Sequence, residues 1–452
     1  MKQFKSINPF NGEILNHYPL ISRDEAIKRV EKNHKAFNDF QKVSYNERAH
    51  KLEKLSELLK KKKEELALTM TQEMGKPISQ AITEVEKCAW VCNYYAENGD
   101  DFLSDDTIKT DASNSFVKHE PLGTILAIMP WNFPYWQFFR FAAPNIMAGN
   151  SLLLKHAPNV QGCAEHIIEL FKAADFDPDY CQNLAADVSD VKSIIEHKAV
   201  QGVTLTGSTS AGSAVASIAG KNIKKTVLEL GGSNPFIVME DADLDLALEK
   251  AWIGRMQNTG QSCIAAKRFL VHEKHVDDFI DGILSKLMGA QVENPKDDDS
   301  FFGPMARTDL AEELESQMKK SVEMGAQLIH GGNRTDAHFQ PALLAGVKPG
   351  MPAFDEETFG PLASVTTFKT EEEALELANR TDYGLGASVI SKNPEQHIHL
   401  LRKIQGGAVF FNEIVKSDPR LPFGGTHKSG YGRELAKEGI LEFTNQKVIY
   451  FA

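Results

Sequence analysis

From Gly123 onward the chain alternates short apolar runs with longer stretches of helical character, and this alternation constrains its fold more than any other feature. The runs have the length of strands and are bounded by Gly, Pro or Asn. The clearest are GTILAIMP, SLLLK, GVTLTG, TVLEL, PFIVM, RFLVHE, ASVTTF, GASVIS and GAVFFN. Strands that alternate with helices form a parallel sheet that is covered on both faces. The sequence therefore predicts an α/β protein.

The length of the chain, 452 residues, is sufficient for two or three domains. The pair Gly231–Gly232 lies between two series of strand-like runs, which predicts two α/β units joined at this point. Before Gly123, apolar residues recur every three or four positions, as they do in amphipathic helices. We expect these helices at residues 23–41, 46–73 and 78–97.

Charge and cysteine content exclude several classes of protein. The 62 acidic side chains outnumber the 50 basic ones, whereas a nucleic-acid binder needs a basic surface. No run reaches the roughly 18–20 apolar residues that cross a bilayer, and the first residues lack the apolar core of a signal peptide. The five cysteines are too few, and odd in number, for a disulfide framework. We expect free thiols in a cytoplasmic protein that binds neither nucleic acid nor membranes.

Two motifs of known chemistry are incomplete. The run that begins at His272 resembles the zinc-protease motif HExxH, but Val276 stands where the second His is required, and we expect no metal site. The segment GSTSAG has the spacing of a phosphate-binding loop, but Ser213 replaces its Lys. GSTSAG still joins a predicted strand to a predicted helix, where backbone N–H groups attract an anion. The alternative is a plain turn in which Ser208 caps the helix.

Three polar residues lie in surroundings that favour reactivity. Cys263 follows the flexible Gly260, so its thiol is open to close approach; the alternative is an inert, buried thiol. Glu229 ends an apolar run before two glycines, which would raise its pKa toward that of a general base; the alternative is a solvated carboxylate. Asn132, in PWNFP, either donates a hydrogen bond to an oxyanion or forms a turn.

Together with their flanking residues, these positions resemble the aldehyde dehydrogenase superfamily. The matching segments are, in chain order, PWNFP, LLLKHAPN, TLTGSTSAG, LELGGSNPFIV, NTGQSCIAAKR, EETFGP and PFGGTHKSGYGRE. They extend from residue 130 to residue 434, and the spacing outside them also agrees, so the resemblance covers essentially the whole chain. The compact length and the run KHAPN are most similar to the short bacterial NAD(P)-dependent succinate-semialdehyde dehydrogenases.

The resemblance implies a division of the chain into three parts. Residues 1–230 would form a Rossmann-like NAD(P)-binding domain, interrupted by an oligomerisation segment at 103–121. Residues 231–426 would form the α/β catalytic domain, and residues 427–452 a C-terminal return that ends in an oligomerisation strand. The segment at 103–121 and this strand would together form a small β element, and we expect the strand to add to a neighbour's sheet, which gives a homodimer or a homotetramer.

The resemblance also implies roles for single residues. Cys263 matches the nucleophile that attacks a small-molecule aldehyde, Asn132 the oxyanion donor, and Glu229 the base that activates water. A glutamate at this last position favours hydrolysis to a free acid over transfer to coenzyme A. Arg140 and Ser417 match the residues that bind the substrate carboxylate. The positions that match cofactor contacts are Trp131, Lys155, Gly207, Ser208, Leu230, Glu357 and Phe359.

At two positions this sequence differs from related dehydrogenases in a way that bears on the choice of cofactor and substrate. Pro158 stands where NAD-specific relatives often carry a Glu, so nothing would repel the 2′-phosphate of NADP; we expect both cofactors to serve, with NAD preferred. Gln257 stands where some longer succinate-semialdehyde dehydrogenases carry an Arg.

Arg140 lies eight residues beyond Asn132, on roughly the same face of the helix that PWNFP is predicted to open. The alternative for Arg140 is a surface ion pair.

The sequence therefore predicts oxidation of succinate semialdehyde to succinate through a thioester on Cys263. One alternative is a broad-range enzyme for apolar or aromatic aldehydes. Another is a catalytically silent binding or structural relative, against which the intact Cys263, Glu229 and Asn132 argue.

Overall fold

A six-stranded sheet forms one half of the protein, whose computed structural model describes residues 2–452. Five of its strands are parallel, and the short strand Gly430–Tyr431 pairs antiparallel with Lys225–Glu229 at one edge. The spatial order is Gly430–Tyr431, Lys225–Glu229, Val200–Thr206, Thr124–Met129, Ser151–His156 and Cys181–Asn183.

A seven-stranded sheet forms the other half. Its strands are parallel except Gln327–His330, which pairs antiparallel with its neighbour at one edge. The spatial order is Gln327–His330, Ala342–Ala345, Leu362–Phe368, Ala266–His272, Asn234–Val238, Gly386–Ile390 and Ala408–Phe411. Each of the nine strand-like runs named after Gly123 lies in one of the two large sheets, which confirms the α/β prediction.

The C-terminal strand belongs to a separate three-stranded sheet. Thr444–Phe451 pairs antiparallel with Asn114–Pro121, whose other edge carries Asp106–Thr107. The strand thus pairs within its own chain, and its outer edge has no partner strand among residues 2–452. Three smaller antiparallel pairs complete the sheets: Gln3–Ile7 with Ile14–Pro19, Arg334–Thr335 with His338–Phe339, and Tyr383–Gly384 with Thr426–His427.

Helices connect the strands and fill the first hundred residues. The α-helices are Arg23–Phe40, Tyr45–Lys61, Lys63–Met74, Ile78–Leu103, Trp136–Ala148, Gln161–Ala173, Val191–Glu196, Thr209–Lys221, Leu244–Met256, Val276–Leu287, Thr308–Glu323, Pro352–Asp355, Glu371–Asn379, Ile398–Lys403 and Ala436–Leu441. Short 3-10 helices cover Pro158–Val160, Val188–Asp190, Gln257–Gly260 and Pro394–His397. Within residues 2–452, none of the helices has the length and apolar character needed to cross a bilayer.

The predicted helix at 46–73 is in fact two helices. The backbone at Lys62 has φ −104° and ψ 12°, which interrupts the helical geometry between Tyr45–Lys61 and Lys63–Met74. With this bend, Lys63 Nζ lies 2.6 Å from the carboxylate of Glu86 on the following helix.

Both faces of each large sheet are covered, as the sequence predicted. In Thr124–Met129, the side chains of Ile125 and Ala127 belong to one hydrophobic cluster, while Leu126 belongs to another. In Asn234–Val238, the neighbouring side chains of Phe236 and Ile237 likewise belong to two different hydrophobic clusters. Alternate residues of a strand point to opposite faces, so each sheet is buried between two layers.

Candidate active site

Several of the candidate residues lie at the carboxyl edge of the six-stranded sheet. Asn132 follows the strand Thr124–Met129, Gly207 follows Val200–Thr206, and Glu229 is the last residue of its strand. Because the carboxyl ends of parallel strands meet at one edge, these side chains come together there.

Two cavities meet at Cys263. The first, called here the Glu229 cavity, is lined by most of the residues matched to catalysis and cofactor binding: Trp131, Asn132, Gly207, Ser208, Glu229, Leu230, Cys263, Glu357 and Phe359. The second, called the Arg140 cavity, is lined by Cys263, Arg140, Ser417, Lys87 and the aromatic residues Phe133, Trp136 and Phe423, among others. Both cavities include Cys263 and Gln137. A reagent in either cavity can therefore reach the same thiol.

The loop before Cys263 has a strained backbone. Asn258 and Thr259 have positive φ angles of 54° and 52°, and Gly260 has φ 71°. A Cβ atom on Gly260 would lie 2.3 Å from the carbonyl oxygen of Gly360, so only glycine fits at this position. Non-glycine residues hold such angles only when their surroundings enforce them, and they are concentrated at functional sites.

The backbone of Cys263 is held by two donors. Its carbonyl oxygen accepts hydrogen bonds from Lys267 Nζ and from Asn234 Nδ2, both at 3.1 Å. Burial raises the pKa of the thiol to about 11, although the charges of Lys267 and Arg140 act to lower it. The thiol is accordingly protonated at neutral pH and needs an acceptor for its proton before it attacks an electrophile.

Asn132 is buried beside this loop. Its Nδ2 donates to the backbone oxygen of Gln261 at 3.1 Å, and its backbone oxygen accepts from Asn258 Nδ2 at 2.9 Å. A side-chain amide carries two N–H donors, so the hydrogen bond to Gln261 leaves one donor for a ligand. The backbone bends at Asn132, and the amide still has a free donor.

The carboxyl group of Glu229 is only 2% exposed. Burial raises its pKa well above the ordinary value, and the positive charge of Arg140 opposes the shift. Its Oε1 has no hydrogen-bond partner among residues 2–452. The solvated carboxylate considered from the sequence is therefore wrong. A buried carboxyl group with a raised pKa and a free oxygen is suited to take a proton.

Arg140 is also buried rather than at the surface. Its guanidinium forms an ion pair with Glu434, donates from Nη2 to Thr206 Oγ1 at 3.4 Å, and lies 4.6 Å from the ring centroid of Phe423. Within residues 2–452, no hydrogen bond engages its Nη1. The ion pair with Glu434 was not predicted, because the two residues are distant in the sequence.

The helix that carries Arg140 begins later than predicted. It spans Trp136–Ala148, so Asn132 lies in the preceding turn and the two side chains do not share a helix face. Glu84 Oε1 accepts hydrogen bonds from the N–H groups of Tyr135 and Trp136, both at 3.0 Å, and thereby binds the start of this helix.

Ser417 is buried and accepts a hydrogen bond from Lys87 Nζ at 2.8 Å. The sequence prediction included Ser417 but missed Lys87. A signal was nevertheless present, since Lys87 is the one basic residue of the helix Ile78–Leu103. A single cation on an otherwise apolar and acidic helix is a candidate for a buried role.

Glu357 lies in the Glu229 cavity beside a second lysine that the sequence prediction missed. Its Oε1 accepts from the N–H of Gly232 at 3.0 Å and from Lys267 Nζ at 2.5 Å. A Cβ on Gly231 would lie 2.3 Å from the other carboxylate oxygen, so this glycine makes room for the side chain. Lys267 is part of the segment NTGQSCIAAKR that carried the resemblance.

The remaining cofactor candidates divide into three groups. Ser208 caps the helix Thr209–Lys221 through a 3.3 Å hydrogen bond from Ala211 N, and this cap leaves other N–H groups of the first turn free for an anion. The rings of Trp131 and Phe359 pack edge to face with centroids 5.7 Å apart. Lys155 lines neither cavity; it is buried, burial lowers its pKa, and none of the ion pairs in residues 2–452 includes it.

Comparisons with known proteins agree with this geometry. The chain matches the aldehyde dehydrogenase family over residues 1–449. A protein of Synechocystis, named a probable NADP(+) succinate-semialdehyde dehydrogenase, is 45% identical over 99% of both chains. An Escherichia coli protein, named an NAD(P)+ succinate semialdehyde dehydrogenase, is 43% identical over 98% of this chain and 97% of its own.

A solved structure is similar throughout its length. The crystal structure of succinic semialdehyde dehydrogenase from Streptococcus pyogenes in complex with NADP+ superposes with a TM-score of 0.96. It is 35% identical in sequence and covers 99% of each chain.

Proposed function

The chain belongs to the aldehyde dehydrogenase family, and we propose on this basis that it oxidises succinate semialdehyde to succinate with NAD or NADP. The observation that carries the proposal is the position of Cys263 between two cavities. One cavity holds a base candidate and an oxyanion donor, and the other holds cations that suit a distal carboxylate. The names of the relatives from Synechocystis and E. coli support the same substrate.

The residues of the Glu229 cavity, together with Lys155 outside it, fit a nicotinamide dinucleotide. The helix that begins after Gly207 and Ser208 presents free N–H groups to a pyrophosphate. Buried Lys155 lacks an ion-pair partner within the described residues and would bind ribose hydroxyls or a 2′-phosphate. Glu357 would bind the second ribose, and the ring would pack among Trp131, Leu230 and Phe359. When bound, the dinucleotide supplies the hydride acceptor.

The chemistry of the chain's own residues follows from the site. The sulfur of Cys263 attacks the aldehyde carbon after its proton has left to solvent water, and the charges of Lys267 and Arg140 favour the thiolate that remains. The oxygen that becomes negative accepts hydrogen bonds from the free amide donor of Asn132 and from the backbone N–H of Cys263. Loss of hydride from the same carbon leaves a thioester on the sulfur. Glu229 then removes a proton from water, which attacks the thioester; the C–S bond breaks, Glu229 returns the proton to the sulfur, and the acid and the thiol are released.

We also propose the division into three parts that the resemblance implied. The six-stranded sheet supports an NAD(P)-binding domain in residues 1–230, and the seven-stranded sheet supports a catalytic domain in residues 231–426. The three-stranded sheet, which joins residues 106–121 to the tail, supports an oligomerisation element that assembles a homodimer or homotetramer. Five free cysteines support a cytoplasmic location.

A substrate panel tests the proposed reaction. Succinic semialdehyde, butanal and benzaldehyde would each be assayed with NAD and with NADP, and the absorbance of the reduced cofactor recorded. We expect kcat/KM for succinic semialdehyde to exceed that for butanal at least tenfold, since a charge-assisted contact contributes about 1.5–3 kcal/mol. Equal or higher values with butanal or benzaldehyde would instead establish the broad-range alternative. Absence of activity with every aldehyde would establish a silent relative.

Two variants test the catalytic roles. Cys263→Ala should abolish turnover while NADPH still binds, as measured by the fluorescence of the reduced cofactor. Glu229→Gln should give a burst of reduced cofactor followed by very slow turnover, because the water that hydrolyses the thioester has lost its base. Cys181→Ala is the matched control, since Cys181 is buried and lines neither active-site cavity; its turnover should remain close to wild type. Appreciable turnover by Cys263→Ala would overturn the covalent mechanism.

A further inference from the structure

Three basic side chains line the Arg140 cavity, and they differ in whether a carboxylate neutralises them. Arg140 is paired with Glu434, and Lys416 lies 3.2 Å from Glu413. Lys87 has no carboxylate within 4.0 Å anywhere in residues 2–452. Its charge is therefore the uncompensated positive charge of this cavity.

The surroundings of Lys87 fix the position of its ammonium group. One N–H donates to Ser417 Oγ at 2.8 Å, and the nitrogen lies 4.3 Å from the ring centroid of Trp136. An ammonium carries three donors, and the bond to Ser417 is the one hydrogen bond that Lys87 Nζ makes within residues 2–452. Two donors remain for a ligand in the cavity.

A half-buried ammonium without a counter-charge is costly, so an anionic ligand is favoured there. Burial, together with the repulsion of Arg140, lowers the pKa of Lys87 to about 8. A carboxylate bound beside the ammonium would relieve both effects, because an opposite charge stabilises the protonated form. Gln257, which also lines the cavity, is neutral and offers no competing charge.

We propose that Lys87, with Ser417, binds the distal carboxylate of the substrate and sets the preference for aldehydes that carry one. The inference rests on the proposed function and deepens it, since it adds a specificity-determining residue to the same site. Arg140, on the facing helix, can donate a hydrogen bond to the same carboxylate from its free Nη1, but Glu434 largely neutralises its positive charge. Lys87 is the residue whose removal leaves the substrate carboxylate without a full positive charge.

Substitution by methionine tests this role, because it removes the ammonium and keeps an unbranched side chain that reaches to the Cε position. In Lys87→Met, kcat/KM for succinic semialdehyde should fall about ten- to hundredfold, which corresponds to the loss of one charge-assisted contact. The value for butanal should change less than about twofold. Lys87→Arg, which restores a cation, should recover most of the loss.

The matched control is Thr83→Ala, one helical turn earlier on the same cavity wall. The hydroxyl of Thr83 donates to the backbone oxygen of Ser79 at 2.9 Å, so its removal should leave both substrates unaffected. If Lys87→Met lowers kcat/KM for both aldehydes equally, or for neither, the inference is overturned. That result differs from failure of the proposed function, in which the wild-type enzyme itself would show no preference for the carboxylated aldehyde.

Discussion

At the scale of single residues, the ionisation of Lys87 makes a prediction about pH. The groups that face its ammonium are Arg140 on the adjacent helix, Asp418 on the adjoining loop, and Glu84 and Cys88 on its own helix. Its pKa of about 8 means that the cation is present below pH 8 and is lost above it. The ratio of kcat/KM for succinic semialdehyde to that for butanal should therefore be constant below about pH 7 and fall above pH 8.

The ratio of the two kcat/KM values reports the ionisation of Lys87 alone, because ionisation of Cys263 and Glu229 changes kcat/KM equally for both substrates. kcat/KM reports the pKa values of the free enzyme, so rates from pH 6 to pH 9.5 are sufficient for the measurement. In Lys87→Arg the guanidinium stays charged throughout this range, and the ratio should become flat. A wild-type ratio that does not change with pH would show that Lys87 does not contact the carboxylate.

A second residue-scale prediction concerns cofactor choice. Pro158 begins the short helix Pro158–Val160 three residues after Lys155, so the ribose end of the cofactor would meet no carboxylate there. Pro158→Glu adds one, and repulsion of like charges should raise KM for NADP about tenfold or more. KM for NAD should change little. Pro158→Gln is the control without charge, and side-by-side kinetics with both cofactors provide the measurement.

The parts of the site that could be predicted are those whose interacting residues lie close together along the chain. Cys263 and Glu229 could be proposed from the sequence because their neighbours form continuous motifs, and the burial of Glu229 raises its pKa in the direction expected. Lys87 and Ser417 are 330 positions apart, and their hydrogen bond exists only in the folded chain. The pairing of Arg140 with Glu434 has the same origin. A short sequence motif indicates the backbone conformation of its own segment. It does not indicate which residues from distant parts of the chain will contact it after folding.

At the scale of elements, Glu84 connects two helices that shape the site. It is buried in Ile78–Leu103, pairs with Lys76, and binds the first N–H groups of the helix Trp136–Ala148. Glu84→Gln would leave the buried ammonium of Lys76 without its counter-charge. We expect a loss of about 3–5 kcal/mol in the free energy of unfolding, as for other broken buried pairs, measured by urea denaturation.

The control for this prediction lies two residues along the same helix. Glu86 pairs with Lys63 at 2.6 Å, but both side chains are substantially exposed to solvent. Glu86→Gln should therefore leave the urea midpoint nearly unchanged, since surface ion pairs contribute little. Equal effects of the two substitutions would mean that the Glu84 pair does not stabilise the contact between the helices.

The positions of helices and strands along the chain were predicted better than the pairing of strands with one another. Apolar periodicity identified nine of the thirteen strands of the two large sheets and the helices of the first hundred residues, because burial dictates that pattern directly. It missed Cys181–Asn183, Gln327–His330, Ala342–Ala345 and Gly430–Tyr431. The bend at Lys62 left the periodicity intact and so was not predicted. The resemblance placed Thr444–Phe451 and Asn114–Pro121 in one small element, but it did not specify that they pair within the same chain, since a strand pattern indicates an edge and not its partner.

At the scale of the whole molecule, the outer edge of the C-terminal strand predicts assembly. Val448 is 70% exposed and Tyr450 53% exposed, although both are apolar or aromatic. Such an edge favours pairing with a second chain. Val448→Lys should shift the protein from a dimer or tetramer toward the monomer in size-exclusion chromatography with light scattering.

The control replaces another exposed apolar residue that lies outside any strand. Ile223 is 92% exposed, and Ile223→Lys should leave the molar mass unchanged. A wild-type protein that is monomeric at micromolar concentration would contradict the proposed assembly. So would a Val448→Lys variant with the wild-type mass.

The strand Gly430–Tyr431 has a consequence for the timing of synthesis. It covers the edge of Lys225–Glu229, and Glu434 follows it to pair with Arg140. Roughly 200 residues separate Glu229 from Gly430 in the chain, and a ribosome adds them in about 10–40 s at about 5–20 residues per second. During that interval the unfinished chain exposes an unpaired strand edge beside an incomplete site. The nascent protein is therefore most open to mispairing, and to chaperones, just before its last residues emerge.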